Sequence, residues 1–280
     1  MYTFQTAPCQ PINANSSILS FEHPLVMGIL NVTPDSFFDG GQHNTLAMAS
    51  TKAAQLIGQG ADIIDIGAYS SRPGASIISV QEEIDRALPI IEYLKANFPD
   101  TVISIDTFRA EVARSAVQTG ANIINDISGG DLDKDMFATV AALQVPYILM
   151  HMRGTPETMQ QQTDYGDIVE DIAVYFGERI AQLRSLGVKD IILDPGFGFS
   201  KTVAQNYELL HRITELQYFD LPILAGISRK SMIYKKLNIT PQEALPATTA
   251  LHTLLLQKGV QILRVHDVVE AKQLITLFYT

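Results

Sequence analysis

The chain holds a single cysteine, Cys9, in 280 residues, so it can form neither an intramolecular disulfide nor a cysteine-based zinc cluster. Cys9 lies before the first expected strand and far along the chain from every motif, which reads as a bystander thiol. No uninterrupted apolar run of about 18 residues occurs, which argues against a membrane-spanning helix. Met1–Ser20 lacks the basic-then-apolar plan of a secretory signal, and the expected location is cytoplasmic. Basic charge is also scarce. Twenty Lys and Arg face thirty Asp and Glu, for a net charge of −10 and a pI near 5.0. That balance argues against a nucleic-acid or anionic-membrane partner. It leaves room for a small anionic substrate, since a few local Arg and Lys can dominate a cleft. His23, His43, His211 and His252 lack metal-ligand spacing. HExxH, GxxxxGK[ST] and GxGxxG are all missing, which disfavours a zinc hydrolase, a P-loop NTPase and a dinucleotide enzyme.

With 46% hydrophobic and 18% charged residues, the composition is that of a soluble protein able to bury a large core. Short runs rich in Val, Ile and Leu recur at Leu25–Leu30, Asp62–Ile66, Val102–Ile105, Asn122–Asn125, Tyr147–Met150, Asp190–Leu193, Leu221–Ala225 and Gln261–Val265. Continuous apolar runs of this length suit parallel strands covered on both faces. Amphipathic stretches separate them, among them Leu46–Gln59, Val80–Asn97, Ala110–Thr119, Asp167–Leu186 and Pro241–Gln257. Gly60, Gly120 and Gly187 each end a helical pattern just before a strand begins, and Gly259 repeats the device before the eighth. Eight βα units with right-handed crossovers close most economically into an α/β (β/α)8 TIM barrel, a single domain. An open doubly wound sheet would leave eight evenly spaced strands unexplained. Residues 21–280 are assigned to the barrel and 1–20 to an irregular N-terminal segment.

In such a barrel the C-terminal ends of the strands share one rim. Polar residues stand at those ends: Asn31, Asp65, Asp106, Asn125, His151 or Arg153, Asp194, and the pair Arg264 and His266. Taken singly, each reads more readily as a cap or a buried hydrogen-bonding group; Asp106 and Asp126 also suit N-caps. Jointly they do not, because Asp, Asn and Arg beside apolar strands cost desolvation unless a ligand or partner meets them. Carboxylates and an amide carbonyl (Asp106, Asn125, Asp194) suit the donor edge of a flat heterocycle such as an aminopyrimidinone. Arg264 and His266 are two apart in a strand and so share a face, placing a guanidinium fork and a second donor where barrels bind phosphate. Ser228-Arg229-Lys230-Ser231 offers serines and a basic residue at a helix start, which suits an anion. The sequence alone leaves open whether Arg229 or Lys230 faces inward. Asp194-Pro195-Gly196-Phe197-Gly198-Phe199-Ser200-Lys201 is a glycine-rich turn in which Phe199 can wall an aromatic acid. The loops around Asp35 and around Ser70-Ser71-Arg72-Pro73-Gly74 read as covers that exclude water.

Asn31-Val32-Thr33-Pro34-Asp35-Ser36-Phe37, Ser71-Arg72-Pro73-Gly74, Ile105-Asp106-Thr107, Ile124-Asn125-Asp126-Ile127, Leu193-Asp194-Pro195-Gly196-Phe197-Gly198, Ser228-Arg229-Lys230-Ser231 and Arg264-Val265-His266-Asp267 occur in this order. Together they resemble the dihydropteroate synthases over nearly the whole chain. The resemblance implies a transferase of folate biosynthesis, joining a dihydropterin diphosphate to 4-aminobenzoate with release of diphosphate and with Mg2+ assisting. It implies pterin contacts from Asp106, Asn125, Asp194 and Lys230, and diphosphate contacts from Asn31, Ser71, Arg264 and His266. Asn31 would also be a metal ligand. Ser71, Arg72, Pro73, Phe199 and Ser231 would border the aminobenzoate, with Asp35 and Phe37 closing over the reacting carbon. Asp106, Lys230 and Asp35 would be catalytic, in an SN1-like reaction through a pterin cation. A homodimer and competition by sulfonamides are further implications. Where the family usually reads Gly-Glu-Ser-Thr-Arg-Pro-Gly, this chain has Ala68-Tyr69-Ser70-Ser71-Arg72-Pro73-Gly74, which predicts altered loop packing with the chemistry kept. A pterin-binding methyltransferase domain or a non-catalytic pterin-binding paralogue would not need Asn31, Lys230, Arg264 and His266 together.

Overall fold

A computed structural model describes residues 9–14, 17–33, 42–70 and 77–279, with the side chains of 42–45 excepted. A hairpin, β1 (Ile12–Ala14) and β2 (Ser17–Leu19), precedes eight parallel strands. These are β3 (Leu25–Asn31), β4 (Ile63–Gly67), β5 (Val102–Asp106), β6 (Ile123–Asp126), β7 (Tyr147–Met150), β8 (Ile191–Asp194), β9 (Leu224–Ala225) and β10 (Ile262–Val265). Consecutive strands from β3 to β8 pair side by side, and β10 pairs with both β3 and β9. The Leu193 N–H donates to the Pro222 carbonyl at 2.8 Å, next to a parallel bridge between Leu193 and Ile223. That contact joins β8 to the approach of β9 and closes the ring. The expected (β/α)8 barrel is therefore the fold. Among the described residues no helix is long and apolar enough to cross a membrane.

Helices α1 (Gln42–Gly58), α2 (Val80–Asn97), α3 (Ala110–Thr119), α4 (Met136–Leu143), α5 (Ile168–Ser185) and α6 (Val203–Arg212) follow β3 to β8 in turn. Two helices, α7 (Ser231–Leu237) and α8 (Leu245–Gln257), separate β9 from β10, and α9 (Val268–Phe278) follows β10. Their ends are set locally. Ser79 accepts the Glu82 N–H, Asp167 accepts those of Val169 and Glu170, and Thr202 with Gln205 forms a reciprocal capping box. At the opposite ends, Gly60, Gly120, Gly187 and Gly259 have φ of +91°, +130°, +86° and +77°. Only glycine adopts such values without strain.

Side-chain alternation sorts each strand between two cores. One set (Leu30, Ile64, Ile103, Ile124, Leu149 and Leu263 among others) packs outward against the helices. The inward set starts with one residue from each strand: Met27, Ile63, Val102, Ile123, Ile148, Ile192, Leu224 and Ile262. Fully burying a side chain of this size stabilises by roughly 1.5–3 kcal/mol. The same lower cluster contains Ile12, Ala14, Leu19 and Phe21, so β1 and β2 plug the N-terminal end of the barrel. The stretch expected to be irregular thus contains a paired hairpin that extends the core. Its strands of three residues are too short to display a period in sequence. Cys9 packs beside this lower cluster, where burial pushes its thiol up to about 11. An inert thiol at that end is consistent with a bystander.

Candidate active site

Two residues further along the strands the inward layer turns polar. Asp65, Ser104, Asn125 and Asp194 are buried there, joined by Arg264, whose side chain is 17% exposed. One more step reaches Asn31, Gly67, Asp106 and His266 at the mouth. A parallel register aligns Asn31 with Gly67, Gly67 with Asp106, and Asp106 with Asn125. Gly67 keeps the middle of this row open. A methyl group there would lie 3.3 Å from Asn31 Oδ1 and 3.7 Å from Asp106 Oδ2.

Arg264 ties the layer together across the barrel. Its Nε donates to Asp65 Oδ2 at 2.6 Å, and its Nη2 donates to Asp106 Oδ2 at 2.6 Å. Asn125 Nδ2 donates to the same Asp65 oxygen at 3.2 Å. A guanidinium has five N–H donors, so Arg264 can hold both carboxylates and still meet a ligand oxygen. Burial alone would lower the Arg264 pKa, but Asp65, Asp106 and Asp194 outweigh it and hold the cation firmly charged. Desolvation pushes Asp106 up to about 7, against the pull of Arg264 and with help from Asp65, Glu83 and Asp126. Asp106 does not cap α3. That helix starts after Arg109, and Asp133 takes the Ala110 N–H. Asp126 also leaves the site. It points out of the barrel and accepts bonds from Ser128, Gly130 and Tyr147.

The opposite wall carries Asp194 and Lys230. Asp194 Oδ1 accepts the Gly196 N–H at 2.8 Å, and burial raises its carboxyl against the opposing charge of Lys230. Lys230 Nζ donates to the Phe197 carbonyl at 2.6 Å and lies 4.7 Å from the centre of the Phe199 ring. Desolvation lowers Lys230 to about 8, and the nearby Arg264 adds to the effect. Lys230 is therefore the basic residue that faces inward. Arg229 turns outward, where its Nε and Nη2 make a two-bond fork to Asp267 at 2.8 and 2.7 Å. Ser231 is the first residue of α7 and is half-buried. Ser228 Oγ meets the His266 ring at Nδ1, 3.1 Å away, and accepts the His266 N–H at 3.2 Å. His266 is open to solvent at the rim, yet the surrounding walls desolvate its ring and Arg264 repels its cation. Both lower its pKa, to about 4.

Between these walls lies an apolar patch that the sequence did not reveal. Ile127, Met150, Met152 and Met159 cluster with Phe108 and Phe199 packed against them. Met150 stands on the inward face of β7, so a period-two reading of that strand would have found it. Tyr69 packs edge-on to Phe108 at 5.1 Å, with the Arg109 guanidinium 5.4 Å from each ring. Buried Glu83 anchors Arg109 at 2.9 Å, so the residue that departs from the family pattern sits in a braced aromatic corner. His151 and Arg153 do not join the central layer. His151 packs behind the turn after β8, and Arg153 pairs with Asp171 and stacks on Tyr165. Asp35, Phe37, Ser71, Arg72 and Pro73 lie outside the described residues.

The mouth thus offers a carboxylate and an amide on one side and a lysine with a carboxylate on the other. A flat apolar wall lies between, and an Arg–His pair stands at the edge. That set suits a flat, nitrogen-rich ring bearing an anionic tail. Comparison with known proteins agrees. A family model described as "Pterin binding enzyme" matches residues 27–266. The dihydropteroate synthase of Escherichia coli K12 is 45% identical over 259 residues, covering 92% of this chain and 91% of that protein. The Yersinia pestis dihydropteroate synthase, solved as a sulfonamide drug complex, superposes with a TM-score of 0.90 at 41% identity, over 96% of this chain and 98% of that one. The Xanthomonas albilineans enzyme in complex with 7,8-dihydropteroate gives 0.86 at 36% identity, over 96% and 97%.

Proposed function

Since the chain belongs to the pterin binding enzymes, among the dihydropteroate synthases, we propose how its barrel mouth joins (7,8-dihydropterin-6-yl)methyl diphosphate to 4-aminobenzoate, forming 7,8-dihydropteroate and releasing diphosphate. The observation that carries this reading is the convergence of Asp106, Asn125, Asp194, Lys230 and Arg264 on one rim, with Asn31 and His266 beside them. Asn125, Asp194 and Lys230 meet the polar edges of the pterin, while Met150 bounds one of its faces. Arg264, Asn31, His266 and Ser71 take the diphosphate.

In the first step the bond between the exocyclic methylene carbon and the diphosphate oxygen breaks, and its electron pair leaves with the oxygen. Positive charge spreads over the methylene and the ring, where the Asp106 carboxylate stabilises it. Preorganised charge of this kind commonly contributes more to rate enhancement than any other single effect. Arg264 offsets the charge on the leaving oxygens, and the neutral His266 ring can donate a hydrogen bond to them. The aminobenzoate nitrogen then donates its lone pair to the methylene carbon and loses a proton. That amine is a weak nucleophile, so holding it against the cation matters more than deprotonating it first. Phe199 and Ser231, with Ser71, Arg72 and Pro73, border the aminobenzoate. By family resemblance, Asp35 and Phe37 are assigned to covering the reacting carbon.

Mg2+ fits this donor set as a substrate-borne ion. Asn31 Oδ1 faces the mouth beside Gly67, and no cluster of three His, Cys, Asp or Glu exists among the described residues to cage a metal. Mg2+ commonly binds through one or two protein oxygens plus substrate phosphates and water. When bound it would neutralise developing charge on the diphosphate. Assembly as a homodimer in the cytoplasm and competition by sulfonamides at the aminobenzoate subsite complete the reading. The test is a Mg2+-supplemented reaction with both substrates, following dihydropteroate and diphosphate together. Equal yields of the two products are expected. A bare pterin binder or a methyltransferase would release no diphosphate.

A further inference from the structure

Lys201 is absorbed by none of the roles above, although it ends the glycine-rich turn between β8 and α6. It is only 4% exposed, and its ammonium reaches three acceptors. These are His151 Nδ1 at 3.1 Å, the Gly196 carbonyl at 3.0 Å and the Phe199 carbonyl at 3.1 Å. An ammonium has three donors, so the cation is fully matched from inside the protein, and His151 accepts as its neutral Nε2–H tautomer. Gly196 permits this wrap. Its φ is +70°, and a methyl group there would lie 2.1 Å from the His151 carbonyl oxygen.

The carbonyls of the turn are divided between two lysines. Lys201 takes those of Gly196 and Phe199 from behind, while Lys230 takes that of Phe197 from the site. Asn206 secures the rest of the turn, accepting the Gly198 N–H at 2.7 Å and donating to the Lys201 carbonyl. The charged and titratable groups facing Lys201 are Asp194 on β8, His151 and Arg153 after β7, and Lys230 before α7. Desolvation brings Lys201 down to about 7, with Asp194 opposing, so the third donor is held only narrowly near neutrality.

We propose, resting on the reaction assigned above, that Lys201 is a positioning residue: its ammonium clamps the Gly196 and Phe199 carbonyls against His151 and so fixes the Phe199 ring as the wall of the aminobenzoate subsite. The clamp spans the turn from Gly196 to Phe199, and its outer end carries the Phe199 ring. Asn125 is held separately, by Asp65. Asp194 and Lys230 touch the turn only through the Gly196 N–H and the Phe197 carbonyl, whereas the Phe199 ring borders the aminobenzoate directly. Loss of the clamp should therefore fall mainly on aminobenzoate.

The test compares Lys201→Met, which keeps the stem and removes all three donors, with Lys201→Arg, which keeps donors in altered geometry. Steady-state kinetics vary each substrate in turn, and thermal melts run alongside. For Lys201→Met the aminobenzoate KM should rise at least tenfold, within the ~100-fold that a 1 Å misplacement costs. The dihydropterin diphosphate KM should move by a clearly smaller factor, and Lys201→Arg should recover part of the difference. An unchanged aminobenzoate KM, an equal rise for both substrates, or a lower melting temperature with unaltered kinetics would each overturn the proposal. If Lys201→Met does not fold, Lys201→Gln carries the same comparison. Failure of the wild-type protein to make dihydropteroate would remove the reaction itself, a separate outcome from either result with the variants.

Discussion

Arg264→Met should destabilise the fold by about 3–5 kcal/mol and abolish most activity, because removing one partner of a buried ion pair strands the other. Asp65 is 0% exposed, and its charge partner is Arg264. Asp106 shares the same guanidinium at 2.6 Å. Methionine keeps the bulk and leaves two neighbouring carboxylates without a cation. Urea unfolding of the wild type and the variant measures the loss directly. Adding Asp65→Asn to Arg264→Met should restore part of the stability but none of the activity, since the diphosphate would still lack its fork. A midpoint equal to wild type for the single variant would mean that Arg264 does not hold this layer together.

Asp106→Asn should act in the opposite sense, sparing the fold and removing the chemistry. Arg264 keeps its bond to Asp65 in this variant, so no buried charge is stranded. Lost instead is the carboxylate facing the developing cation. Removing one preorganised electrostatic group typically lowers kcat by about 10²–10³. Rapid-quench turnover should show that loss, while calorimetry with the pterin diphosphate shows binding largely kept. Near-normal turnover would remove Asp106 from the mechanism. The wild-type pH profile bears on the same residue. With Asp106 raised to about 7 and Lys230 lowered to about 8, kcat/KM should climb as pH passes 7 and fall above 8, a bell set by an acid and a base. For stability the Asp106 sign is different. A raised carboxyl pKa contributes most under acidic conditions, and that contribution is lost as pH rises through about 7.

Much of the barrel could be read from the chain because its signals are local. Continuous Ile, Val and Leu mark strands covered on two faces, and four glycines stop helices where only a positive φ fits. The expected strand Leu221–Ala225 shrinks to Leu224–Ala225 in the structure. Its first residues still serve the barrel, since Pro222 and Ile223 close the ring against Leu193. Helix α4, not among the amphipathic stretches picked out in the sequence, is almost wholly apolar, which blurs a 3.6-residue stripe.

For the site, strand-end polarity located the rim and the Arg264–His266 face. The pairing of Arg264 with Asp65 was not legible, because it joins residues 199 apart in sequence. Lys201 was equally hidden. A lysine after a serine in a glycine-rich turn reads as a solvated charge, and only the folded turn brings three acceptors around it. The choice between Arg229 and Lys230 likewise depended on Asp267 being within reach on the outer side.

The most direct test is a crystal soaked with the dihydropterin diphosphate. Density should place the bicyclic ring against Asn125, Asp194 and Lys230, with the phosphorus atoms next to Arg264, His266 and Asn31. Ring density at any other end or face of the barrel, or a diphosphate remote from Arg264, would contradict the assignment.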